Sequence, residues 1–213
     1  MRQTGRVLLI IGIMALLFAC FQPAGVAATA ELLEALDTGG IWAEFYGTGE
    51  LGVDATIGRN PGGPSFVAIA PGTQFWAQAG GRQGQSTLGW VPVDLSTNAV
   101  AHLRIPTACT NINRRAPTPD DEMFATACPD DRMARLCAGV VTEQDHIDVV
   151  QLAVWAVANN PSRRTLQRHE ADMVDEEITN PQAREAAFEK LLASTAKLLQ
   201  RADLDPGAFR MFR

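Results

Sequence analysis

The stretch Val149-Val150-Gln151-Leu152-Ala153-Val154-Trp155 constrains this chain more than any other. It lies in a segment from Glu143 to about Asn159 whose spacing predicts a helix. Thr142 fits as its N-cap, with Asp145 three residues on to close a capping box. Pro161 ends it, because a residue before proline disfavours the helical region. At about 100° per residue, Ile147, Val150, Val154, Val157 and Ala158 cover one broad arc. Val149, Leu152 and Ala153 fall on the other side, so the middle of the helix is apolar all round and must be buried. Gln151 breaks the pattern. It shares an arc with Ile147, Val154 and Trp155, where an amide without partners costs about 2–7 kcal/mol. Two readings compensate for that: a hydrogen-bonded core glutamine, or an amide consumed in a covalent bond.

The first thirty residues read as a secretion signal outside the fold. Arg2 and Arg6 precede an uncharged apolar run, Val7 to Phe18, and small residues follow. The run is too short for a membrane span, which needs about 20 residues, so no transmembrane segment is expected in the mature chain. Cleavage after Ala28 or Ala30 fits the small-residue pattern. Alternatively, Leu17-Phe18-Ala19-Cys20 resembles a bacterial lipobox, which would lipidate Cys20. The destination is secretion or the cell envelope, with soluble export favoured over a lipoprotein because Phe18 is bulky for that motif.

Removing Arg2 and Arg6 takes Lys+Arg from 18 to 16 against 24 Asp+Glu, so the exported chain carries −8. An acidic chain with scattered cations has no footprint for nucleic acid and no polybasic face for anionic lipid. Export favours oxidised cysteines, yet Cys109, Cys128 and Cys137 cannot all pair within one chain. One is left as a free thiol, an intermolecular bridge or something less common.

Residues 31–38 predict a short amphipathic turn on Leu32, Leu33 and Leu36. From Ile41 to about Ile105 the pattern changes to strands: Ile41 to Tyr46, Leu51 to Ile57, Ser65 to Ala70, Gln74 to Gln78, Leu88 to Asp94 and Ala99 to Ile105. Breakers such as Asn60-Pro61-Gly62-Gly63-Pro64 and Pro71-Gly72 suit a small antiparallel sandwich or barrel. Asn113 to Glu122 reads as a surface loop. Helices are expected at Asp131 to Gly139, then around Gln151, then at about Arg163 to Glu177. A last long helix opens at Asn180-Pro181, with an apolar stripe over Phe188, Leu191, Leu192, Thr195, Leu198, Leu199 and Ala202. Strands first and helices after argue an α+β fold. A β-rich half over 31–110 is followed by a helical half over 111–213, packed on it as one unit.

The string Val150-Gln151-Leu152-Ala153-Val154-Trp155 resembles the Thr-Gln-x-Ala-Ile-Trp motif of bacterial thioester domains, found on surface adhesins. In that family a cysteine on an upstream strand bonds to the motif glutamine, and Ala108-Cys109 lies in the matching place. Asn111 to Pro117 is similar to the family's post-cysteine segment. The likeness covers roughly Phe66 to Asn159. Val150 stands where the family usually has Thr, and Ala108 where an aromatic residue is common. The resemblance implies that Cys109 is the thiol and Gln151 the acyl donor of an internal thioester, shielded by Trp155 and Val154. It also implies a single-use trap, not an enzyme, whose partner is a protein amine or a carbohydrate hydroxyl on an external surface. Cys128 and Cys137 are then left to pair as a disulfide, although Cys109 could instead bridge to either. The alternative is a non-covalent envelope module of the same fold with Gln151 as a core amide and the cysteines in disulfides.

The remaining signals are weak. His169-Glu170 lacks the second histidine of a zinc-protease helix. His169 falls on one stripe with Leu166 and Met173, and His146 is flanked by Asp145 and Asp148 as local surface electrostatics. The carboxylates of Asp120-Asp121-Glu122, Asp130-Asp131 and Asp172 to Glu177 lack the spacing of a calcium loop. No metal or cofactor is expected. No phosphate loop or nucleophile elbow is present.

Overall fold

The structure is a computed structural model that describes residues 29–49, 51–140, 144–169, 173–174 and 178–213. Residues 1–28 of the expected secretion signal, including Cys20, and also Thr142 and most of the Asp172–Glu177 cluster lie outside these residues. The chain is α+β. Its first half runs β1 (Thr29–Glu31), α1 (Leu32–Asp37), β2 (Ile41–Gly47), β3 (Gly52–Arg59), β4 (Phe66–Ile69), β5 (Gln74–Ala77), β6 (Gln85–Thr87), β7 (Val91–Asp94) and β8 (Val100–Cys109). Then come β9 (Glu122–Thr126), α2 (Asp131–Gly139), α3 (Ile147–Asn159), α4 (Arg163–Leu166) and α5 (Pro181–Arg201), with two 3-10 turns at the end.

Six strands close into a barrel in the order β2-β3-β8-β6-β5-β9. Period-two alternation drives it. Ile41 and Phe45 of β2 point inward while Trp42, Glu44 and Tyr46 point out, and Val53, Ala55 and Ile57 of β3 face the same interior. The β2–β3 hairpin keeps one register from Ile41↔Arg59 to Gly47↔Val53. Its turn places Gly49 at φ +104°, backbone that glycine adopts without a Cβ penalty. The remaining strands form a three-stranded sheet, β1-β4-β7. There β1 runs parallel to β4, a departure from the all-antiparallel expectation. The long passage through α1, β2 and β3 supplies the crossover that a parallel pair requires.

Three strands, β1, β6 and β9, were not expected from sequence. β9 pairs with β5 through Trp76↔Phe124 and with β2 through Phe45↔Met123, and so closes the barrel. The segment after residue 110 therefore contributes one strand to the β-rich part.

Two apolar cores result. One fills the barrel and includes Phe45 and Phe75, whose ring centroids lie 5.0 Å apart. The other surrounds α3: Val150, Leu152, Ala153 and Val154 pack with Leu136 of α2 and with Phe188, Leu192, Leu198 and Leu199 of α5. β8 joins them, contributing Ile105 to the first and Ala108 to the second. The apolar-all-round helix is thus buried on every side of its middle, as expected. It starts at Ile147 rather than Glu143. His146 takes the N-cap position, its ring nitrogen facing the Asp148 N–H, and Asp145 pairs with Arg201 instead of capping. Asn160 ends it in a left-handed conformation just before Pro161. The stripe on α5 is buried apart from the half-exposed Leu191, and Asn180 caps it through Gln182 N–H and Ala183 N–H. The helix expected from Arg163 to Glu177 is interrupted by a turn at 167–169 after α4; Met173 is helical again, and 170–172 and 175–177 lie outside the described residues.

Leu152 has no exposed surface, so Leu152→Ala should cost about 2–5 kcal/mol in denaturant unfolding. Trp90 stands largely in solvent, and Trp90→Ala should stay within about 0.5 kcal/mol. Equal losses at both positions would contradict this packing.

Candidate functional site

The site arises where the barrel ladder runs out. On β8 the Thr107 N–H donates to Leu51 O toward β3 (3.4 Å), and the Thr110 N–H donates to Gly84 O toward β6 (2.8 Å). Backbone groups alternate sides along a strand, so the N–H and C=O of Cys109 face the β3 side. There β3 has already turned back into its hairpin, since its last pairing is Gly52↔Pro106. Left alone, two buried backbone groups would be orphaned.

Gln151 fills the gap. The Cys109 N–H donates to Gln151 Oε1 at 2.9 Å, and Gln151 Nε2 donates to the Cys109 carbonyl at 2.6 Å. A primary amide carries one acceptor and two donors, and here it stands in for the missing strand residue. α3 holds it there by packing against β8 through Ala108. The pair is sealed from solvent: Cys109 is 1% exposed and Gln151 7%. The amide that looked costly to bury is the group that completes the ladder.

Two consequences follow for chemistry. The Cys109 N–H points at the oxygen that would gain negative charge if a nucleophile added to the Gln151 carbonyl carbon, the task of an oxyanion-hole donor. The thiol belongs to the same residue whose backbone grips the Gln151 amide, so any attack would be effectively intramolecular.

A third residue at this site was not anticipated from sequence. Gln85 pairs with Cys109 in register, and its Nε2 donates to Gly49 O at 2.7 Å and approaches Cys109 Sγ at 3.9 Å. Among the described residues Gln85 Oε1 is buried without a hydrogen bond, as are Thr107 Oγ1 and Trp155 Nε1. The only signal was a polar run, Gly84-Gln85-Ser86-Thr87, that resembles turn material while every residue of β6 is buried.

The other expected residues fall elsewhere. Val154 is fully buried in the helical core. Trp155 is buried one turn beyond Gln151, and its ring meets His169 at 5.7 Å. His102 bonds Thr56 on the outside of the barrel, and His146 sits against Asp148 in solvent.

The expected disulfide is absent: no two of Cys109, Cys128 and Cys137 stand at disulfide distance. The Cys128 thiol donates to Asp130 O at 3.3 Å, and burial raises its pKa. Cys137 is buried beside the Ser86 hydroxyl, and burial pushes its thiol up to about 12. Both sulfurs are committed to local packing instead of to each other.

Two carboxylates of the 120–131 stretch are engaged. Asp121 accepts from the Thr118 N–H and hydroxyl, which hold it below the usual carboxylate range, and also pairs with Arg82; Asp130 pairs with Arg132. Among the described residues no cluster of three or more His, Cys, Asp or Glu could hold a metal, and no helix is long and apolar enough to cross a membrane.

Compared with protein-family models, curated proteins and solved structures, the chain finds no match.

Gln151→Leu would orphan the N–H and C=O of Cys109, each costing about 1–3 kcal/mol. Unfolding free energy should therefore fall by about 2–6 kcal/mol, and a loss below about 0.5 kcal/mol would contradict the ladder. For Cys137 the folded thiol binds its proton more tightly than the unfolded one. Stability is then untouched below the ordinary value of 9.0 and declines as pH rises toward about 12. At pH 8 only about one native Cys137 in 10⁴ is thiolate, so iodoacetamide should modify it in denaturant and not before.

Proposed function

We propose that this chain is an exported surface-binding module whose reactive group is an internal thioester between Cys109 and Gln151. The observation that carries this reading is the reciprocal bonding of the Gln151 amide to the backbone of Cys109, across 42 residues of sequence. Cys109 Sγ adds to the amide carbon, the developing oxyanion rests on the Cys109 N–H, and the C–N bond breaks. The thiol proton leaves with the nitrogen as ammonia, and a thioester remains. Burial of both residues keeps water from hydrolysing it. A partner's hydroxyl or amine then attacks the same carbon, forming an ester or amide and returning its proton to the Cys109 sulfur. The trap works once.

Export rests on the charged, apolar and small-residue order of the first thirty residues. Cleavage after Ala28 leaves β1 whole, whereas cleavage after Ala30 removes two of its three residues and their pairings to Phe66 and Val67. N-terminal sequencing of the exported protein should therefore begin at Thr29. A start at Glu31 would contradict a structural role for β1, and a lipidated Cys20 would replace soluble export with an anchor.

A second reading keeps Gln151 as a structural amide in a non-covalent module. It is favoured by the same two hydrogen bonds, which already satisfy the amide without reaction. Intact-protein mass spectrometry separates the two. The thioester predicts a mass low by one ammonia, a return of amine mass on methylamine treatment and a newly alkylatable Cys109. An unshifted mass that ignores methylamine leaves the structural reading.

A further inference from the structure

A groove of about 450 Å³ opens beside the buried pair. Thr110 and Asn111, the two residues after Cys109, form part of its wall, and the C-terminal end of α3 at Asn159 forms another. Its size suits a small ligand rather than a protein surface. Trp76 of β5 supplies an aromatic wall. A Cβ on Gly84 would lie 2.7–2.9 Å from three consecutive atoms of the six-membered ring of Trp76, so the glycine packs on the ring face and fixes the indole.

Two side-chain amides of this wall are left with donors to give, whereas Gln74 spends its NH2 on Gly72 O and the Ser86 hydroxyl. Asn159 Oδ1 accepts the Ile112 N–H, and Asn111 Oδ1 accepts the Asn113 N–H. In each case the carbonyl end is committed to the backbone, and the NH2 makes no hydrogen bond among the described residues. Charge is cancelled: Asp130 and Arg132 pair with each other at 2.6 Å, and the wall has no other ionised side chain. A lysine ammonium or an acidic glycan would find no uncompensated partner here. A neutral polyhydroxy ligand would find donors for its oxygens and a ring face for its C–H surface.

The aromatic surface continues beyond the groove. Phe124 lies directly across from Trp76 in the β5–β9 ladder, with its side chain 47% exposed. Tyr46, 39% exposed, sits diagonally beyond it on β2, where Tyr46 pairs with Glu122. Side chains at such positions lie about 5–8 Å apart on one sheet face. Three aromatic rings therefore run outward over the barrel, and exposed aromatic patches mark interaction surfaces.

We infer that this groove and its aromatic track form a binding site for a neutral oligosaccharide, gripped by the Asn111 and Asn159 amides and stacked on Trp76, Phe124 and Tyr46. The inference concerns reversible binding and stands whether or not the thioester forms. Where the thioester does form, the groove would hold a sugar against Thr110 and Asn111, the two residues that follow Cys109.

A glycan array of neutral hexose and N-acetylhexosamine oligosaccharides, with acidic glycans and lysine peptides as comparison arms, tests it. Titration calorimetry with the retained oligosaccharides follows. Trp76→Ala and Phe124→Ala should each weaken binding about tenfold or more. Phe124 is exposed, so that variant should keep its melting temperature and isolates the stacking contact. Asn159→Asp keeps the acceptor for the Ile112 N–H while removing the NH2 donors, and should also weaken binding. Binding of no neutral oligosaccharide, binding unchanged in all three variants, or retention of acidic glycans or lysine peptides alone would each overturn the inference.

Discussion

The pairing of one side-chain amide with the backbone of Cys109 carries the rest of this structure. A closed barrel must end its ladders somewhere, and β8 outruns β3 by three residues past their last pairing at Pro106. Buried backbone groups cannot be left unpaired cheaply. Gln151 resolves this from outside the barrel, and in doing so it locks α3 to the rim. The apolar shell of α3 is then required, since the amide can be buried there only because its partners are already in place.

The same arrangement bears on the proposed reaction. Loss of ammonia would keep the Cys109 N–H to carbonyl-oxygen bond but deprive the Cys109 C=O of its donor. Reaction therefore exchanges one buried hydrogen bond for a covalent S–C bond and leaves one backbone acceptor unsatisfied, a cost of about 1–3 kcal/mol. Opening the thioester onto a partner does not restore that donor if the product is an ester. The reacted site would thus be looser at the rim than the unreacted one.

How far the sequence led depended on pattern strength. The hairpin β2–β3, the strand β8 and the helices α3 and α5 were legible because their apolar residues recur at periods of two or 3.6 over many positions. The pairing of Cys109 with Gln151 was legible only through likeness to a motif; spacing alone could not have joined residues so far apart. β6 and β9 were hidden for opposite reasons. β6 buries three polar residues, Gln85, Ser86 and Thr87, whereas β9 follows a run of acids and projects Phe124 outward. Export and cysteine parity suggested a disulfide, but Cys137 is packed against Ser86 and Cys128 against Asp130, positions that no spacing rule specifies. The groove could not be read in advance because its walls come from β5, the segment after Cys109, the start of α2 and the end of α3.

A high-resolution crystal structure of the exported protein examines the central pairing most directly. Unbroken density between Cys109 Sγ and the side-chain carbonyl carbon of residue 151, with that carbonyl oxygen still on the Cys109 N–H, is the predicted result. A Gln151 side chain turned away from the end of β8, with water or another group on the Cys109 N–H, would contradict it.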